Sequence, residues 1–219
     1  MATPEVSMHS YYAARAREYD RVYEKPERQA DIQALRQWLP PLFRGSRLLE
    51  VACGTGFWTQ FIAPLTEEVV AIDYAPETIA IAQSRVPRDK VSFLVGDAYD
   101  LPFDHGSFNA AFAGFWFSHV PKRRQHEFLS GLSAAIAPGA SVVLIDNLYV
   151  EGSNHPISER DSDGNTFQER TLKDGTVHRV LKNFPTETEL RTLTVGLGHG
   201  VIFTRFEYYW ALQYVAGEP

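Results

Sequence analysis

Three acidic residues and one histidine lie where an α/β sheet would hold a ligand. Glu50 ends an apolar run that breaks into the small-residue turn Ala52-Cys53-Gly54-Thr55-Gly56, and Asp73 and Asp97 each follow a later apolar run. His119 comes shortly after a fourth apolar run. Ligands of open α/β sheets bind beside the carboxyl ends of the strands, and glycines let backbone N–H groups approach them closely. The pattern therefore predicts a nucleotide-binding site built around this turn.

The elements that must position these residues alternate along the chain. Five apolar segments predict strands, at residues 47–51, 68–72, 91–95, 108–117 and 141–146. The spacing of apolar residues predicts helices at residues 7–24, 26–39, 56–63, 77–85 and 122–136. Because parallel neighbours need helical crossovers, this alternation predicts a parallel, doubly wound sheet.

The pattern changes after the fifth strand. Residues 151–165 are polar and rich in turns, and Asp174-Gly175 between two β-prone arms predicts a hairpin. Thr186 is placed to cap a further helix, and residues 201–215 predict two strands that return to the sheet. We expect one domain over residues 1–219, in which 1–44 form a helical cap, 45–148 the cofactor-binding core, 149–184 a cap over the substrate, and 185–219 the last helix and strands.

Composition narrows the class of protein. The chain has 219 residues, a net charge of −6 and a pI of about 5.6, so no general basic field attracts nucleic acid or an anionic membrane. No apolar run approaches the roughly 20 residues that span a bilayer. The single cysteine, Cys53, excludes an internal disulfide and a cysteine metal cluster and suits a reducing cytoplasm. With no signal-peptide pattern at the N-terminus, we expect a cytoplasmic monomer or homodimer without a metal site.

The turn distinguishes between two nucleotide ligands. A dinucleotide fingerprint needs a third glycine where this sequence has Thr59, and the Glu50 carboxylate would repel a pyrophosphate above the turn. S-adenosylmethionine carries an α-ammonium group and a sulfonium, and it has no phosphate. Glu50 therefore favours S-adenosylmethionine over NAD.

In these residues the chain resembles the class I S-adenosylmethionine-dependent methyltransferases of the small-molecule type, with a domain like methyltransferase families 11 and 25. Residues 50–56 are similar to the first motif of that family, Asp73 to the acid that takes the ribose hydroxyls, Asp97 and Ala98 to the adenine segment, and 108–117 to the motif beside the transferred methyl. The resemblance covers about residues 47–146. It implies a Rossmann-like sheet of seven strands, mostly parallel with an antiparallel C-terminal strand, and a helical and hairpin cap. The cofactor-binding residues that it implies are Glu50, Ala52, Cys53, Gly54, Thr55, Gly56, Asp73, Tyr74, Asp97, Ala98 and Phe115.

Three features depart from patterns within the family. Many members have glycine at the position of Ala52, so we expect Ala52 to keep a negative φ. Asn109 replaces the more usual acid before the fourth strand, and we interpret it as structural. The polar motif of amino-group methylases that act on DNA is absent after that strand, which together with the acidic pI disfavours a nucleic-acid acceptor.

The resemblance implies in-line transfer of a methyl group to an oxygen or nitrogen of a small metabolite. Aromatic faces attract a sulfonium, and we predict an acceptor pocket lined by Tyr11, Tyr19, Trp58, Trp116, Phe117 and His119. His119 is the candidate catalytic base, and a carboxylate or neutral ring nitrogen as acceptor would need no base.

The acceptor and two other functions stay open at this point. The aromatic lining indicates a planar or apolar metabolite, while four residues of the cap are candidates for contact with an anionic one: Arg160, Arg170, His178 and Arg179. A nicotinamide-dependent oxidoreductase and a non-catalytic module that binds S-adenosylmethionine are the alternative functions.

Overall fold

The strands carry the ligand-binding end of the protein. The computed structural model describes residues 16–172 and 175–218, without the side chains of Ala16, Arg17 and Tyr19. In this part of the chain the strands are β1 (Arg47–Val51), β2 (Glu68–Asp73), β3 (Val91–Val95), β4 (Phe108–Gly114), β5 (Ile136–Asn147), β6 (Glu159–Arg160), β7 (Thr166–Thr171), β8 (Val177–Leu181), β9 (Gly198–Arg205) and β10 (Tyr209–Ala216).

Seven of these strands form one sheet in the order β3-β2-β1-β4-β5-β10-β9. β1 lies in the middle and is parallel to both neighbours, with Leu49 opposite Val70 of β2 and Ala111 of β4. β10 runs antiparallel to β5 and to β9, so it is the one reversed strand of the sheet. The predicted mostly parallel sheet with an antiparallel C-terminal strand is thereby confirmed.

Helices cover both faces of the sheet. In the described residues the α-helices are α1 (Gln29–Trp38), α2 (Thr59–Ile62), α3 (Pro76–Arg85), α4 (Gln125–Ala135) and α5 (Glu187–Leu193). Successive strand residues point to opposite faces: Leu48 packs with the layer formed by α1, α2 and α3, whereas Leu49 packs with α4 and α5. Among the described helices, none has the length and apolarity that a membrane crossing requires.

Short 3-10 helices connect several of these elements. They cover Ala16–Tyr23, Pro26–Arg28, Pro40–Phe43, Ala63–Leu65, Phe117–His119 and Lys122–Arg124. Residues 159–181 add a small antiparallel sheet of β6, β7 and β8, in which Phe167 pairs with Leu181. The expected hairpin within residues 149–184 is therefore present. The predicted cap of α5 is present as well, because Thr186 and Glu189 form a complete capping box.

Several predicted elements differ from the observed ones. The helix expected at 122–136 begins with a 3-10 turn, and the strand expected at 141–146 already begins at Ile136, where that helix was expected to end. Residues 16–23 of the predicted 7–24 helix form a 3-10 helix, and the rest of that prediction lies outside the described residues. The helix expected at 56–63 is only the α-helical turn of α2 followed by a 3-10 turn. The fourth strand, expected to reach residue 117, ends at Gly114 because Phe115 has a φ of 60°, which turns the chain out of the sheet.

Candidate active site

The glycine turn after β1 has an unusual backbone. Ala52, Gly54 and Gly56 all have positive φ, of 57°, 56° and 71°. The expected negative φ at Ala52 is therefore wrong: the chain enters the left-handed region at the first residue after β1, at a cost of about 1–2 kcal/mol for a residue with a Cβ. Gly56 has a second reason to be glycine, since an added Cβ would lie 3.0 Å from Ala82 of α3.

Asp73, at the end of β2, is bonded to this turn. Its Oδ2 accepts the Gly54 N–H at 2.8 Å, and its Oδ1 accepts the Ala75 N–H at 3.0 Å and the Thr78 hydroxyl at 2.9 Å. The carboxylate thus holds the turn against the start of α3. Asp73 lies at the carboxyl end of the parallel strands, as predicted from the sequence.

Glu50 lies deeper than the other acids of the site. It is 2% exposed, and its Oε2 has no hydrogen-bond partner among the described residues. Burial raises the pKa of Glu50 to about 8; the Thr59 hydroxyl acts in the opposite direction, and the charge of Asp73 adds to the rise. A buried acid without a partner is costly unless something positive meets it.

Asp97 and Ala98 follow β3, two strands away from β1. The Asp97 Oδ1 accepts the Tyr99 N–H at 2.9 Å, and Ala98 is buried. Because β1, β2 and β3 are neighbours and parallel, Glu50, Asp73 and Asp97 lie along one edge of the sheet. Such a row of carboxylates suits a ligand with an ammonium group, ribose hydroxyls and an exocyclic amine, and it would repel a pyrophosphate. The residues present therefore fit S-adenosylmethionine.

A cavity of about 280 Å³ lies beside this edge, near the ends of β4 and β5. Its lining includes five cationic side chains and no carboxylate among the described residues, and we call it the cationic cavity. The lining residues are Arg21, Val22, Tyr23, Lys25, Arg28, Phe115, His119, Asn147, Ser153, Asn154, His155, Gln168, Arg170, Lys182 and Tyr209.

Arg28 is a buried cation of this cavity, with only 4% of its surface exposed to solvent. Its guanidinium donates to two neutral groups, Ser153 Oγ at 2.9 Å and Asn147 Oδ1 at 2.8 Å. No carboxylate of the described chain forms an ion pair with it. A buried guanidinium held by neutral acceptors favours an anionic ligand, because burying a charge without a counter-charge costs several kcal/mol.

Lys182 is also buried but has an acidic partner. Its Nζ donates to Asp146 Oδ1 at 3.1 Å and to Ser118 Oγ at 2.6 Å. Burial lowers the pKa of Lys182 to about 8, although Asp146 acts in the opposite direction. Burial alone would raise the pKa of Asp146, but the charge of Lys182 and the Ser118 N–H help to bring it below its ordinary value. The Asp146–Lys182 pair is therefore charged, and the excess positive charge of the cavity remains with its other cations.

His119 lines the same cavity in its neutral form. Its Nδ1 lies 2.7 Å from the Leu181 carbonyl oxygen, which can only accept, so Nδ1 carries the hydrogen. Burial, followed by the charges of Lys182 and Arg170, lowers the pKa of His119 well below its ordinary value. Nε2 is then the nitrogen with the lone pair, and it is a weak base suited to accepting a hydrogen bond.

Comparison with known proteins agrees with this geometry. A family model described as a methyltransferase domain matches residues 48–139. The solved structure of the DhpI–SAH complex is 30% identical, covers 97% of each chain and superposes with a TM-score of 0.80. The chain belongs to the class I S-adenosylmethionine-dependent methyltransferases. A second structure of the same relative, the DhpI–SAM–HEP complex, is also 30% identical over 97% of this methyltransferase and 98% of that chain, with a TM-score of 0.79.

Curated relatives match a smaller part of the methyltransferase. The demethylmenaquinone methyltransferase of Clavibacter sepedonicus is 33% identical over 103 residues, which are 47% of this chain and 41% of that protein. The chain spans less than half the length of the first curated relatives that it matches.

The aromatic residues proposed for the acceptor pocket have different positions. Phe115 lines the cationic cavity, and Trp58 stacks on Phe115 with ring centroids 5.9 Å apart, so it supports the wall from behind. Phe117 is a core residue of this methyltransferase and does not line the cavity: it is fully buried against Phe128 and Trp210.

The other predicted contacts lie elsewhere or outside the described residues. Trp116 packs against Tyr99 and Phe128 and is not among the residues that line the cavity. Tyr11 lies outside the described residues, as does the side chain of Tyr19. Tyr74, predicted to contact the cofactor, is half-exposed directly after Asp73.

Of the four cap residues suggested for an anion, one lines the cavity of the methyltransferase. Arg170 does so, whereas Arg179 pairs with Glu159 on the surface, Arg160 donates to the Gly164 carbonyl, and His178 lies beside Thr176. Asn109 has the structural role expected of it, because its Oδ1 accepts the Arg47 N–H at 2.9 Å.

Most of the cavity lining was not singled out from the sequence, and the two buried cations among it are Arg28 and Lys182. Arg28 resembles an ordinary solvent-facing residue at the start of a helix. Lys182 offered a signal, because it directly follows the apolar pair Val180-Leu181 at the end of a β-prone arm. A charge at the inner end of a buried strand is a candidate for function.

Proposed function

We propose that this methyltransferase transfers a methyl group to an oxygen of a small metabolite that carries an oxyanion, such as a phosphonate, a phosphate ester or a carboxylate. The observation that carries the proposal is the buried Arg28 in a cavity with five cations and no carboxylate among its described lining residues. Arginine binds planar and tetrahedral oxyanions through paired, charge-assisted hydrogen bonds.

The protein's own part in such a reaction is to bind and orient the acceptor. Bound S-adenosylmethionine supplies an electrophilic methyl group. An oxyanion already has a lone pair for in-line attack, so the weakly basic His119 would orient the acceptor rather than remove a proton from it. Arg28 and Arg170 would hold the anion, and Phe115, at the end of β4, would form the wall between the acceptor and the glycine turn.

This proposal differs from the planar or apolar acceptor that the aromatic residues indicated. The curated relatives are named as methyltransferases of demethylmenaquinone, while a DhpI structure is a complex with SAM and HEP. An apolar quinone in this cavity of about 280 Å³ would leave the buried guanidinium of Arg28 without a counter-charge. The charge of the cavity therefore favours the oxyanion.

The substrate class is tested with a labelled methyl donor and a panel of acceptors. The panel contains an alkylphosphonate, a phosphate monoester, a carboxylate, a catechol and demethylmenaquinone. We expect transfer to one or more of the oxyanions, with formation of a methyl ester and no transfer to the two ring compounds. Transfer to demethylmenaquinone alone would overturn the proposal.

Arg28→Met tests the residue that carries the argument. Loss of a hydrogen-bonded charge contact costs about 2 kcal/mol, so KM for the oxyanion should rise about 30-fold. Arg28→Lys keeps the charge but not the paired donors, so its KM for the oxyanion should lie between that of the unmodified protein and that of Arg28→Met. Arg179→Met is the matched control, because Arg179 pairs with Glu159 at the surface and should leave KM unchanged.

A further inference from the structure

A polar cluster joins the N-terminal 3-10 helix to the glycine turn. Asp20 Oδ1 accepts a hydrogen bond from Thr55 Oγ1 at 2.5 Å, and Asp20 Oδ2 pairs with the Arg85 guanidinium at the end of α3. Arg85 also donates to Thr55 Oγ1 at 3.1 Å. We call these three residues the Asp20 cluster. Thr55 is 2% exposed, so the cluster fixes a buried hydroxyl in the middle of the turn.

The same short helix forms one wall of the cationic cavity. Arg21, Val22 and Tyr23 directly follow Asp20 and all line that cavity. Tyr23 stacks on Phe57 with ring centroids 3.8 Å apart and meets the edge of Phe115 at 5.5 Å. This one segment therefore contacts the glycine turn and also forms part of the wall of the cationic cavity.

The segment depends on these contacts for its position. A 3-10 helix has poorer hydrogen-bond geometry than an α-helix and is rarely stable over several turns by itself. Residues 16–23 are held by the Asp20 cluster at Thr55, by the stack of Tyr23 on Phe57 directly after the turn, and by the Gln29 side chain, which donates to the Tyr23 carbonyl. If the Asp20 cluster is lost, the charged and hydrogen-bonded part of the link between the turn and the wall of the cavity is lost with it.

We propose that Asp20 is a positioning residue that couples the cofactor site to the acceptor site. By fixing residues 16–23 to Thr55, it makes a bound cofactor raise the affinity for an oxyanion. Since coupling between binding sites is reciprocal, a bound oxyanion raises the affinity for the cofactor by the same factor. The inference rests on the proposed function for the identity of the acceptor cavity.

The test measures S-adenosylhomocysteine binding by calorimetry, with and without saturating inorganic phosphate as the oxyanion probe. Asp20→Asn removes the charge, and Thr55→Val replaces the hydroxyl by a methyl group of similar size. Thr55→Ser restores the hydroxyl and is the conservative variant. Glu187→Gln is the matched control, because it breaks the exposed Glu187–Arg191 ion pair of α5.

We expect Asp20→Asn and Thr55→Val to weaken S-adenosylhomocysteine binding about tenfold, the size of effect that a lost charge-assisted hydrogen bond has. In the unmodified protein phosphate should tighten S-adenosylhomocysteine binding, and in both variants that tightening should disappear. Glu187→Gln should behave as the unmodified protein does, and Thr55→Ser, which keeps the hydroxyl, should retain the tightening by phosphate.

The possible outcomes separate this inference from the proposed function. Unchanged S-adenosylhomocysteine affinity in both variants overturns the positioning role, even if their melting temperatures fall, because a purely structural role lowers stability alone. Weaker binding with undiminished tightening by phosphate overturns the coupling. If phosphate has no effect on the unmodified protein and no oxyanion is methylated, both the proposed function and the coupling are refuted. The cofactor affinity of the two variants then still tests whether Asp20 positions the glycine turn.

Discussion

Replacing Glu50 by glutamine should make the cofactor-free protein more stable and weaken its hold on the methyl donor. Glu50 is 2% exposed, and burial raises its pKa from 4.5 to about 8. At neutral pH the folded protein therefore holds Glu50 protonated, whereas the unfolded chain has it ionised. Folding must take up a proton, and glutamine removes that requirement while keeping the shape of the side chain.

The size and sign of the effect follow from these two pKa values. Between pH 4.5 and pH 8 the folded state binds more protons than the unfolded state, so this group makes stability fall as pH rises. The cost is about 1.4 kcal/mol at pH 5.5, about 3 kcal/mol at pH 7, and approaches about 5 kcal/mol above pH 8. Glu50→Gln should be more stable than the unmodified protein by these amounts.

Urea denaturation of both proteins at pH 5.5, 7 and 8.5, without cofactor, measures this difference. Glu68→Gln is the matched control, since Glu68 is exposed at the start of β2 and pairs with Arg47 at the surface. If the difference in free energy of unfolding between Glu50→Gln and the unmodified protein does not grow with pH, then Glu50 is not buried in its protonated form. In the same samples, affinity for S-adenosylmethionine should rise with pH in the unmodified protein and should be weaker and independent of pH in Glu50→Gln, because an ionised Glu50 is the proposed partner of the ammonium group.

Three further predictions concern other residues of the two sites. Ala52→Gly should raise the free energy of unfolding by about 1 kcal/mol in thermal or urea denaturation, because it relieves a positive φ at a residue with a Cβ; a destabilised variant would contradict this. The kcat/KM for an oxyanion should fall as pH rises through about 8, where Lys182 loses its proton, and Lys182→Met should be poorly active with no such fall; a decline that persists in Lys182→Met would assign it to another group. His119→Asn should raise KM for the oxyanion about tenfold, the effect of a lost hydrogen bond, while kcat stays within a few-fold of its original value; a loss of several hundred-fold in kcat would instead make His119 a base.

The sequence was sufficient for those parts of the fold that depend on continuous apolar runs. β1 and β3 have the predicted bounds. β1 lies in the middle of the sheet and is buried from Leu48 to Val51, whereas β3 is an edge strand with exposed residues, so its run of β-prone residues rather than its burial made it predictable. The sequence-based prediction was wrong at two residues whose backbone φ determines where a strand ends or a turn begins. Ala52 and Phe115 both have positive φ, and nothing in their residue types indicates it. Phe115 ends β4 early, which moves Phe117 from the predicted pocket into the core.

The candidate site was predictable only on its cofactor side. There the acids lie at strand ends along β1, β2 and β3, so strand order alone brings them together. The cationic cavity instead combines Arg28, Arg170 and Lys182, which are far apart in sequence and meet through the packing of the caps on the sheet. Sequence patterns assign charges to the surface by default, and only the structure shows that Arg28 and Lys182 are buried.

The two sites have opposite charge, and this opposition matches the reaction that we propose. Carboxylates lie along the edge that would hold a cationic donor, and cations line the cavity that would hold an anionic acceptor. Without ligands each set is costly: Glu50 must be protonated, and Arg28 has only neutral hydrogen-bond partners. A bound donor would supply the positive charge that Glu50 lacks, and a bound acceptor would supply the negative charge that Arg28 lacks. Each ligand should therefore stabilise the folded protein when it binds. The segment of Asp20 to Tyr23 contacts the glycine turn through Thr55 and lines the cationic cavity, and it is therefore the place where filling one site is expected to favour filling the other.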